Sequence, residues 1–172
     1  MSAIEAILFF DGKHVDQLKS AVSSGIDEAE WGDVASFFDH DEVRYQTAST
    51  WLVKAALEKA QAVPSLVIGK LLQSAKDFAD WEAKLHFLQS IQYFDASAGE
   101  RQQFLQIVQS LEGDKKVLVN VWALDAFVRL AAQDPALTKD CAVKLDVALN
   151  HKAASMRARA RNLLKEFPQF AR

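Results

Sequence analysis

The amino-acid sequence predicts an all-α fold in which helix pairs stack in order along the chain. Three observations carry that expectation. Apolar residues recur at three- and four-residue steps over most of the chain, as amphipathic helices require. The 172 residues include only three prolines and six glycines, and half are hydrophobic, which excludes disordered, collagenous and low-complexity classes. A pattern also repeats: Val43, Trp81, Val119 and Met156 stand 38, 38 and 37 residues apart, and each opens a similar apolar stripe.

Helices are expected near 2–10, 15–23, 27–38, 41–61, 64–77, 80–95, 97–112, 115–133, 135–149 and 153–167. Pro64 and Pro135 can each open a helix, because the N–H that proline lacks goes unpaired in a first turn. Asp80 takes the N-cap position before Trp81, Leu85, Leu88 and Ile91. Ser97, followed three residues later by Glu100, forms a capping-box signature; Gly113 suits the end of that helix, and Pro168 can stop the last one. Two β-branched stretches compete: Ser65 to Gly69, and Lys116 to Trp122, where Val117, Val119 and Val121 alternate as in a half-buried strand. A lone strand pair is marginal in water, so helix is expected at both.

Four positions after each repeat origin stand Thr47, Leu85, Ala123 and Ala160, and seven positions after it Thr50, Leu88, Ala126 and Leu163. The eighth position holds Trp51, Gln89, Phe127 and Leu164, with Gln89 the misfit. These offsets share one helical face, and each such helix is preceded by another. Four helix pairs result, at about 27–61, 64–95, 97–133 and 135–167, within a single expected domain over 1–172. A helix pair cannot bury its apolar face alone, so the pairs must stack as an α-solenoid.

The first pair carries Asp41-Glu42-Val43-Arg44, then Ala48, Trp51 and Leu52. This resembles the second-helix consensus of HEAT repeats: an Asp, then Val-Arg, then a small residue before a hydrophobic pair. Ser155-Met156-Arg157, followed by Ala160, Leu163 and Leu164, resembles it with Ser for Asp. The middle pairs depart from it, with Trp81-Glu82 and Val119-Asn120 at the Val-Arg positions. The resemblance covers residues 27 to 167 and implies a HEAT-like or armadillo-like solenoid of about four repeats.

Twenty Lys and Arg against 23 Asp and Glu give a net charge of −3, which excludes a chain basic throughout for nucleic acid. The charge is nevertheless segregated. Residues 1–42 hold ten acids against Lys13 and Lys19; residues 43–150 balance; residues 151–172 hold six cations against Glu166. The longest apolar runs, Ala6 to Phe10 and Leu66 to Ile68, fall far short of the roughly 20 residues of a membrane span. With no basic segment ahead of an apolar one at the N-terminus, a cytoplasmic protein is expected.

Motifs that carry chemistry are few. Gly69-Lys70 lacks the upstream glycine of a phosphate loop, no serine sits in a nucleophile elbow, and no histidines are spaced i, i+4. Cys141, the only cysteine, reads as a packed thiol beside Ala142 and Val143. Asp39-His40-Asp41-Glu42 reads as a helix junction whose acids cap the next helix. Trp51 and Trp81 fall on the repeat's apolar face and are expected in the core, whereas Trp122 lies off it and reads as a surface aromatic.

The expected function is non-catalytic, without cofactor or metal: a solenoid that binds a protein partner, with nucleic acid and membrane disfavoured. Its binding ridge is expected one step after each origin, at Arg44, Glu82, Asn120 and Arg157, with a second ridge at Ala48, His86, Leu124 and Arg161. Arg44, His86, Trp122, Arg157 and Arg161 are the binding candidates. The alternative is a nucleic-acid-acting protein resembling the HEAT-like alkylpurine DNA glycosylases, which use a basic groove, aromatics and a catalytic carboxylate. Trp122 with Asp125 is the one pairing that could mimic that site, and the balanced charge of residues 43–150 speaks against it.

Overall fold

A computed structural model describes residues 1–94 and 97–171. The ten expected helices form: α1 (Ala3–Leu8), α2 (Asp16–Ser24), α3 (Glu28–Ser36), α4 (Val43–Glu58), α5 (Ser65–Ser74), α6 (Trp81–Ser90), α7 (Ala98–Leu111), α8 (Val117–Ala131), α9 (Thr138–Leu149) and α10 (Ala154–Glu166). The expected helix 80–95 ends at Asp95, and the basic tail ends at Arg172; both residues lie outside those described. Helices α3, α5 and α6 each run on into a 3-10 turn, which tightens the chain before the next helix. No strand occurs among the described residues, and both β-branched stretches are helical, the second opening α8.

The chain divides into two compact units, Met1–Phe94 and Asp95–Arg172. In the first, α4 packs against α1, α2 and α6, while α3 packs against α1 and α5. Its fully buried side chains include Ile7, Leu18, Trp31, Phe38, Leu52 and Phe87. In the second, α8 packs against α7, α9 and α10, around Val108, Val119, Phe127, Leu145 and Leu163. No described helix is long and apolar enough to cross a membrane.

The repeat positions behave as one helical face. Every residue four and seven steps after an origin is buried, from Thr47 and Thr50 in α4 to Ala160 and Leu163 in α10. The flanking offsets are mixed: Val119, Phe127 and Met156 are buried, whereas Val43 is exposed and Trp51, Trp81, Gln89 and Leu164 are half-buried. Trp51 and Trp81 are therefore edge residues rather than core, and the core tryptophan is Trp31.

Helix ends follow local chemistry. Ser97 and Glu100 complete both halves of the capping box on α7, and Gly113, just past its end, has φ +84°. Asp80 occupies the N-cap position of α6 without capping it; its carboxylate instead accepts the Thr47 hydroxyl of α4. Glu42, at the N-cap of α4, likewise makes no capping bond and pairs with Arg44 at 2.9 Å. Helix α4 ends in a Schellman arrangement, in which Ala60 N–H donates to Leu57 and Gln61 N–H to Ala56, each at 2.9 Å. Ala60 holds φ +54°, a conformation more often given to glycine.

Candidate binding groove of the second unit

Helix α9 buries Cys141, Leu145 and Ala148 on one stripe, which leaves Val143 and Val147 off it, 45% and 63% exposed. Beside them lie Leu124 of α8 and Met156 of α10, and together these four side chains floor an open groove of about 220 Å³. Its edge is polar. Lys144 donates to Glu112 at 2.6 Å and lies 4.9 Å from the Phe127 ring centroid, and Asn120 and His151 also line the groove. An apolar floor inside a polar rim is the composition of a protein-binding surface.

The rim is held by its own turns. Asn120 Oδ1 accepts the Gly113 N–H at 2.6 Å, and its Nδ2 donates to the Asp114 carbonyl at 2.6 Å, which closes the loop into α8. Arg157 donates to the carbonyls of His151 and Lys152 at 2.7 and 2.8 Å, which closes the loop into α10. The His151 Nδ1 accepts the Ala153 N–H at 3.0 Å.

The binding candidates fall in both units, Arg44 and His86 in the first, Trp122, Arg157 and Arg161 in the second. Arg44 is half-buried and donates to Glu42, to the Phe10 carbonyl at 3.1 Å and to the Tyr45 hydroxyl. It anchors α4 to the end of α1, as Arg157 anchors its own turn. His86 is not on a surface. It is 9% exposed, and Thr50, whose hydroxyl donates to the Gln46 carbonyl at 2.8 Å, meets its Nδ1 at 3.1 Å. Burial, with Lys54 nearby, pushes the imidazole down to about 3, so the ring is neutral near pH 7. Ala48 and Leu124 of the same expected ridge are buried as well, and Arg161 alone of the four is exposed.

Trp122 is half-buried beneath Arg159, whose guanidinium carbon lies 4.1 Å from the ring centroid. Asp125 is 1% exposed, and both of its oxygens are occupied: Oδ1 accepts Arg129 Nε at 2.7 Å and Oδ2 accepts Arg159 at 3.2 Å. Arg129 reaches on to Glu166 with two bonds, at 2.8 and 3.1 Å. Asp125 is thus the buried centre of an ionic staple between α8 and α10, and Trp122 lies beside it under Arg159.

The remaining sequence candidates settle into structural contacts. Asp39 pairs with Lys70 of α5, and within the junction His40 Nδ1 accepts the Glu42 N–H at 2.9 Å. Among the described residues no group of three metal-capable side chains converges. Cys141 is buried, and burial pushes its thiol up to about 11. The sequence reading missed Val143 and Val147. A helical wheel over α9 separates them from the Cys141, Leu145 and Ala148 stripe, and that separation was the available signal. No family model matches the chain, and no curated protein or solved structure resembles it at a significant level.

Proposed function

We propose that the chain is a short solenoid of HEAT-like helix pairs that acts as a non-catalytic protein-binding module. The apolar groove of α8, α9 and α10 carries the functional reading. Two exposed valines one helical turn apart, beside buried Leu124 and Met156 and inside a polar rim, offer a seat for one or two apolar side chains of a partner.

The architectural part draws support from the reach of the long-range side-chain hydrogen bonds. Thr47–Asp80, Thr50–His86, Lys144–Glu112, Asp125–Arg159 and Arg129–Glu166 join positions 32 to 37 apart. That reach is close to one repeat, and in a solenoid each repeat touches its sequence neighbours.

The test is a capture experiment with two baits, the wild-type chain and a Val143→Ser/Val147→Ser variant. Both positions are exposed, so the variant keeps its helical circular dichroism. Mass spectrometry should find at least one protein held by the wild type and lost from the variant. Identical recoveries from the two baits refute the groove as the binding surface.

A further inference from the structure

We propose that the groove receives the Leu8–Phe9 corner of a second copy of this chain, so that copies associate head to tail. This rests on the reading of the groove as a protein-binding surface and names its partner.

The first observation is the corner. Helix α1 buries Ala3, Ala6 and Ile7, and Phe10 follows them into the core. Leu8 and Phe9 project away from that stripe, 46% and 67% exposed. Two adjacent large apolar side chains at a helix end, turned from their own core, form a knob of the kind that anchors an interface. The groove supplies an apolar lining open to solvent, in which Val143 and Val147 are exposed.

Charge selects the second copy as the occupant. The unit that carries the corner has fourteen acids against eight bases, net −6, and residues 1–18 hold Glu5, Asp11 and Asp16 against Lys13. The unit that carries the groove has twelve bases against nine acids, net +3. Beside the groove, exposed Lys152 and the half-buried Arg157, which is bonded to the His151 and Lys152 carbonyls, supply positive charge. Glu112, the one acid in the lining, is already held by Lys144. An apolar knob on the unit of net −6 and an apolar groove on the unit of net +3 thus occur on one chain, opposite in sign. Because knob and groove are different patches, the contact is heterologous: each copy that uses one retains the other.

Sedimentation velocity on the full chain tests this over a range of protein concentrations. The wild type should show species heavier than the 19.2 kDa chain, and added salt should weaken them. Phe9→Ser and Val147→Ser, both at exposed positions, should each weaken association at least about tenfold. The two variants mixed in equal amounts should restore a species of twice the chain mass and no larger, since only one intact knob and one intact groove can meet. A wild type that is monomeric at every concentration overturns the proposal and leaves the groove to the capture experiment above. Association that survives either variant, that mixing fails to restore, or that salt leaves unchanged overturns it too.

Discussion

Replacing Asp125 with Ala removes the centre of the ionic staple between α8 and α10. Arg159 then loses its counter-charge and Arg129 keeps only Glu166, and breaking a buried pair in this way costs about 3–5 kcal/mol. The geometry places the loss near the lower end. The side chains of Arg129 and Arg159 are 20% and 27% exposed, so each can turn partly to water, and Arg129 keeps its two bonds to Glu166. With a urea m-value of about 2 kcal/mol/M, a loss of about 3 kcal/mol moves the unfolding midpoint down by roughly 1.5 M. Trp122 reports on the site directly, because it is the only tryptophan of its unit and Arg159 lies over its ring. Its emission should shift in the folded variant, once the carboxylate that orients Arg159 is gone. Glu166→Ala is the control. Glu166 is 51% exposed, so its pair with Arg129 is worth roughly 0.2–1 kcal/mol. An Asp125→Ala loss below about 1 kcal/mol, or one no larger than that of Glu166→Ala, refutes the staple.

Three further outcomes are expected. His86 is neutral in the folded chain down to about pH 3, whereas an unfolded histidine takes up its proton near 6.5, so stability is full above pH 6.5 and falls as the pH drops from there towards 3. Denaturant titrations of the wild type and of His86→Gln should differ in pH slope, with the histidine costing about 2 kcal/mol between pH 7.5 and 5; equal slopes would refute its burial as the neutral form. Ala60→Gly relieves the left-handed backbone at the end of α4 and should raise the urea midpoint by an amount equivalent to about 0.5–1 kcal/mol, whereas a lowered midpoint would contradict that strain. Arg161→Glu should leave thermal stability within about 0.5 kcal/mol, while Arg157→Ala should cost about 1–2 kcal/mol through the lost bonds to His151 and Lys152; equal effects would show that Arg157 does not hold its turn.

The helices were legible because their signals are local. Spacing of apolar residues, the Ser97–Glu100 box and the prolines at 64 and 135 each act within a turn or two, and each stands where expected. The strand-like alternation of Val117, Val119 and Val121 lost to helix because a buried helical stripe runs through Val119, Ala123 and Ala126, and a strand there had no partner. The fate of the polar residues was harder to read, because it depends on atoms about one repeat away. Thr47 and Thr50 occupy core positions where, beyond the carbonyls of their own helix, they meet Asp80 and His86, 33 and 36 residues later. Asp125 and Arg129 are visible as a helical pair, whereas nothing in the local sequence shows that Arg159 and Glu166 complete it.

The expected binding ridge shows why periodicity alone cannot separate a recognition surface from a structural one. A residue one step after each repeat origin sits near the start of its helix, within reach of the loop that precedes it. Polar side chains there face two needs at once: solvation, and the unpaired carbonyls and N–H groups of a turn. Asn120 and Arg157 answer the second need within their own loops, and Arg44 answers it at Phe10, 34 residues away. A polar residue at that position is therefore selected by the fold whether or not anything binds. An apolar residue off the buried stripe meets no such demand, since its exposure stabilises nothing within its own unit. Val143 and Val147 on α9, and Leu8 and Phe9 on α1, are in that class, so the unspent hydrophobic residues say more about binding than the polar ones do.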